Sequence, residues 1–98
     1  MLNDLTAATF QARVLDTDEA FVLFGQCADP ASYHAQQLLS TLTPRALFLD
    51  IDREPQTAMK YNIRFAPFLC VFRKGSMALS FAGFAAIAEY IDDYKRAS

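Results

Sequence analysis

Tryptophan is absent, and glycine, proline and cysteine are scarce, with three, four and two copies in a chain of 98 residues. The three glycines, Gly25, Gly75 and Gly83, stand far apart, so none builds the clustered backbone donors of a phosphate loop. Two cysteines, Cys27 and Cys70, fall short of a disulfide framework, and the default setting is the cytoplasm, where both are thiols. An excess of basic charge is missing too. Nine Lys and Arg against eleven Asp and Glu leave a net charge of −2, and Arg73-Lys74 and Lys95-Arg96 are the only adjacent basic pairs. Displacing counterions from phosphates needs a basic stripe, so nucleic acid is excluded as a partner. The longest uninterrupted apolar run, Ala66 to Phe72, is seven residues. A bilayer-spanning helix needs about 20, which excludes the membrane. Met1 to Leu15 has neither the basic start nor the apolar stretch of a secretory signal.

What is present suits a packed core. Apolar residues make up 53% of the chain and charged residues 20%, with nine Phe and four Tyr supplying bulk. That composition, at this length, is expected to form a single domain over residues 1–98 without staples.

The patterning reads as alternating elements. Thr6 is a candidate N-cap, followed by Ala7, Phe10, Val14 and Leu15 at helical spacing until Asp16-Thr17-Asp18-Glu19 breaks the helix. Phe21-Val22-Leu23-Phe24, closed by Gly25, reads as a strand covered on both faces. Asp29 caps a second helix with Pro30 at its first position, where a missing N–H costs nothing. Ala31, Ala35, Leu38, Leu39 and Leu42 form its apolar stripe, Gln36, Gln37 and Ser40 lie opposite, and Thr43-Pro44 ends it. Ala46 to Ile51 is the next strand, and Pro55 to Tyr61 a short helix. Pro67 to Phe72 and Met77 to Ala82 are strands joined by the turn Arg73-Lys74-Gly75-Ser76, which forces an antiparallel hairpin. A last helix runs from Phe84 to about Tyr94, with Ile87, Tyr90, Ile91 and Tyr94 on one face. The expected fold is α/β, a mixed sheet with helices on both faces.

The segment Asp52-Arg53-Glu54-Pro55-Gln56-Thr57-Ala58-Met59-Lys60-Tyr61-Asn62-Ile63-Arg64-Phe65-Ala66-Pro67 resembles the thioredoxin family, where the equivalent stretch reads D-x-x-P-x-T-A-x-K-Y-x-I-R-x-x-P. Phe72-Arg73-Lys74-Gly75 and Gly83 also stand where that family places F-K-x-G and a glycine before the last helix. The resemblance spans nearly the whole chain. It implies a thioredoxin-like fold, a mixed central sheet flanked by about four helices, and a cis peptide bond before Pro67 that exposes main chain to an extended substrate.

The family's chemistry does not transfer with the pattern. Thioredoxins use C-x-x-C at the start of the second helix, one thiolate attacking a disulfide and the other resolving the intermediate. With Pro30 matched to the proline between those cysteines, the two positions fall on Ala28 and Ala31. Cys27 sits one residue early and finds Pro30, not sulfur, three residues on. The buried Asp and the Lys that assist proton movement in the family match Leu23 and Phe48. Apolar residues pack better there when no proton is moved.

Each remaining candidate has a bland reading beside a sharp one. Cys27 is either a lone attacking thiol near a helix start or a small loop residue. It precedes the cap by two residues, and helix-dipole assistance fades within the first turn. Cys70 lies inside a strand and reads as core, too far along it to bridge to Cys27. His34 lacks nucleophile or metal partners and reads as a half-exposed helix residue. Asp50 and Asp52 lack an evident third ligand and read as turn and cap residues, so no metal and no cofactor is expected. Phe65, Ala66, Pro67 and Phe84 form the expected binding groove. Tyr33, Ile51 and Phe68 are candidates to extend it, unless Phe65 and Phe84 fold back as core.

The functional expectation is a redox-inactive, non-catalytic module that holds a protein, an extended peptide or a second copy of itself in that groove. The alternative is a thiol-disulfide oxidoreductase using Cys27 alone, as a monothiol or through a mixed disulfide with glutathione.

Overall fold

The structure is a computed structural model that describes residues 2–43 and 45–97. Pro44, half of the helix stop read from the sequence, lies outside the described residues. The strands are β1 (Asn3–Asp4), β2 (Glu19–Gly25), β3 (Leu47–Asp50), β4 (Phe68–Arg73) and β5 (Ser76–Ala82). They form one mixed sheet in the order β1-β3-β2-β4-β5. β1 and β2 each pair parallel with β3, while β4 pairs antiparallel with both β2 and β5. The helices are α1 (Ala7–Phe10), α2 (Pro30–Leu42), α3 (Pro55–Lys60) and α4 (Phe84–Ala97). This is the mixed, helix-flanked sheet expected from the pattern. No helix among the described residues is long and apolar enough to cross a membrane.

Strand alternation splits the core in two. Val22, Phe24, Leu49, Cys70 and Phe72 point to one face, under Phe10, Val14, Ala58 and Ile63. Phe21, Leu23, Phe48, Leu69 and Val71 point to the other, under Ala35 and Leu39 of α2 and Ile87 and Ile91 of α4. A central sheet needs a helix layer on each face to bury both sets, which explains the continuous apolar runs of β2 and β4.

The caps follow the sequence. Asp29 Oδ2 accepts from the Ser32 backbone N–H at 3.1 Å and from its hydroxyl at 2.8 Å, fixing the start of α2. Thr6 caps α1, and its backbone N–H donates to Thr9 Oγ1 at 3.1 Å. The first helix is not uniform, however. Gln11–Leu15 widens into a π-helical turn, closed by the Asp16 N–H on the Gln11 carbonyl at 2.9 Å.

Several local expectations are corrected. The hairpin turn is two residues, Lys74 (φ 52°) and Gly75 (φ 83°), because both adopt the left-handed backbone that a tight turn between twisted strands requires. Arg73 and Ser76 are therefore a strand pair. β4 begins at Phe68 rather than Pro67. α4 runs on to Ala97, its last turn held by the Arg96–Asp92 ion pair and by Lys95 Nζ on Thr41 Oγ1 at 2.6 Å. Gln36, placed on the polar face of α2, is buried, and its Oε1 accepts the Leu2 N–H at 3.2 Å. That bond anchors the strand the sequence reading missed, β1, which has no apolar pattern and exists because β3 offers it main-chain partners.

Candidate functional site

Register brings the candidate residues to one end of the sheet. Phe24 pairs with Phe68 and Gly25 with Asp50, so the loop after β2, the end of β3 and the approach to β4 are neighbours. The Gly83 N–H donates to the Pro67 carbonyl at 2.9 Å, which brings the start of α4 to the same end. The Ala66–Pro67 bond is cis. Pro67 itself is buried and Ala66 half-buried.

Cys27 is exposed at this end, and its Sγ donates to Asp50 Oδ2 at 3.0 Å. The hydrogen bond to Asp50 raises the thiol above its ordinary value, with desolvation and the Asp50 charge acting in the same direction and Arg53 opposing them. Asp50 itself is partly desolvated, which would raise it. The Cys27 hydrogen bond, the backbone N–H groups of Asp52 and Arg53 and the Arg53 charge outweigh that and lower it. The pair therefore rests as a thiol and a carboxylate. Such a thiol is a poorer nucleophile than a free one at neutral pH, because the thiolate is the attacking form. Cys70 is fully buried, and desolvation pushes it up to about 12.

Asp50 is the residue sequence reasoning missed as the partner of Cys27. The two lie 23 positions apart, and only the parallel pairing of β2 with β3 joins them. Asp52 serves the local turn, its N–H donating to Asp50 Oδ1 at 2.9 Å. Among the described residues, no three His, Cys, Asp or Glu side chains gather in a way that could hold a metal ion. His34 is exposed, with its ring against Tyr33.

The positions matched to the thioredoxin acid and lysine are apolar neighbours in register. Leu23 and Phe48 pair across β2 and β3, and are 0% and 4% exposed. The Phe48 ring also lies over Gly25, where an added Cβ would stand 2.6 Å from Phe48 Cε1. Aromatic carbon fills the space beneath the loop that carries Cys27.

Phe65 and Phe84 are 55% and 39% exposed, so neither is folded into the core. The Phe65 ring meets Phe68 edge-on at 5.9 Å. Phe68 and Ile51 are half-buried against the core, and Tyr33 is exposed on α2. Next to Phe65 in the chain, the backbone N–H and C=O of Ala66 have no hydrogen-bond partner among the described residues.

No family model matches the chain, and no curated protein matches it. Solved structures do. A mutant thioredoxin from Halobacterium salinarum NRC-1 superimposes with a TM-score of 0.78 at 20% identity, over 94% of this chain and 88% of that one. The chain's fold is thioredoxin-like. A second thioredoxin-fold neighbour, from a structure describing the thiol resolving mechanism in yeast mitochondrial 1-Cys peroxiredoxin via glutathione/thioredoxin systems, has a TM-score of 0.79 at 20% identity, over 94% of both chains. At that identity the likeness is one of fold. Within this thioredoxin-like frame, the two cysteines are not arranged as C-x-x-C, and one of them is sealed in the core.

Proposed function

We propose that this thioredoxin-fold chain is a non-catalytic binding module, a single unit over residues 1–98, which holds an extended protein segment at Phe65-Ala66-Pro67 and Phe84. The observation that carries the reading is the unpartnered main chain of Ala66 at the end of the sheet that also carries the exposed Phe65 and Phe84. An extended ligand would supply the missing backbone partners, as in strand-addition recognition, while the rings take up its apolar side chains. Burying a Phe side chain contributes roughly 1.5–3 kcal/mol, so two of them support a modest interface. The setting assumed is the cytoplasm, where both cysteines stay thiols.

Dithiol exchange is disfavoured because Cys27 has no resolving sulfur, and single-thiol chemistry because Asp50 holds the Cys27 proton. Two measurements test the reading together. In a thioredoxin-reductase-coupled assay, turnover of a protein disulfide should stay at background for both the parent and Cys27→Ser. Peptides selected from a displayed library against the parent should lose affinity for Phe65→Ser/Phe84→Ser, whose melting temperature stays close to that of the parent. Turnover abolished by Cys27→Ser would favour the monothiol or glutathione-linked alternative. Peptides that bind the double variant equally well would refute the groove.

A further inference from the structure

We draw no further inference here: the strongest candidate, the open cleft at the start of β2 between the end of α2 and Tyr94 of α4, is lined by Arg13 and Arg45 but equally by Asp18 and Glu19, so its charge selects neither an anion nor a cation and nothing in the structure shows what fills it.

Discussion

Replacing Gly25 by Ala tests the packing that fills the space beneath the candidate site. An ideal Cβ on Gly25 would lie 2.6 Å from Phe48 Cε1, 3.0 Å from its Cζ and 3.2 Å from Ser32 Cβ. Carbon atoms at optimal separation stand about 3.5–4.0 Å apart, so the ring has to move. Phe48 is 4% exposed and belongs to the core layer with Leu23, Ala35 and Leu39, which leaves it little room. Overpacking a core costs about 1–3 kcal/mol, and a clash with a buried ring beside the fixed start of α2 belongs near the middle of that range. At about 4–8 °C per kcal/mol for a domain of this size, a cost of about 2 kcal/mol lowers Tm by roughly 8–16 °C. The assay is a double-mutant cycle with Phe48→Leu, followed by thermal and urea unfolding. Leu lacks the atoms nearest the new Cβ, so the double variant should be more stable than the sum of the single effects implies, by about 1 kcal/mol. A Gly25→Ala protein within about 0.5 kcal/mol of the parent would refute the argument. Strictly additive effects would show that the loss has another source.

Three further outcomes are expected. Burial raises Cys70 from 9.0 to about 12, so the stability gained by keeping it neutral is complete below pH 9 and is lost as pH rises toward 12. The loss reaches roughly 4 kcal/mol by pH 12. The parent should therefore lose more stability than Cys70→Ala over that window in urea melts, and equal losses would disprove it. Asp50→Asn removes the carboxylate that holds the Cys27 proton, so the thiol pKa should fall and iodoacetamide alkylation at pH 8 should speed up. An unchanged or slower rate would contradict that assignment. Gln36→Ala leaves the Leu2 N–H without its acceptor, at a cost of about 1–3 kcal/mol. Hydrogen exchange should show faster exchange at Leu2 and Leu5, and unchanged protection there would argue against an anchoring role.

The order and type of the main elements were legible in the sequence because their causes are local. Asp29-Pro30 with Ser32 specifies a helix start through contacts within one turn. The apolar runs of β2 and β4 mark strands covered on both faces, and the paired lysine and glycine at 74–75 mark a hairpin. The missing C-x-x-C is also a fact of spacing alone. Other features depended on which distant residues came to lie side by side. Cys27 and Asp50 meet because parallel strands align Gly25 with Asp50. Leu23 and Phe48 become neighbours through the same register, and Phe48 then reaches over Gly25. Gln36 reads as solvent-facing from helical period alone, yet it is buried because the segment leading into β1 packs beside α2 and needs an acceptor. Exposure of Phe65 and Phe84 was likewise undecidable from residue type, since a phenylalanine is core or surface according to what the rest of the fold places over it. Capping, turn chemistry and hydrophobic period act over a few residues and are written in the chain. Register and burial are relations between segments, and they exist only once the sheet has assembled.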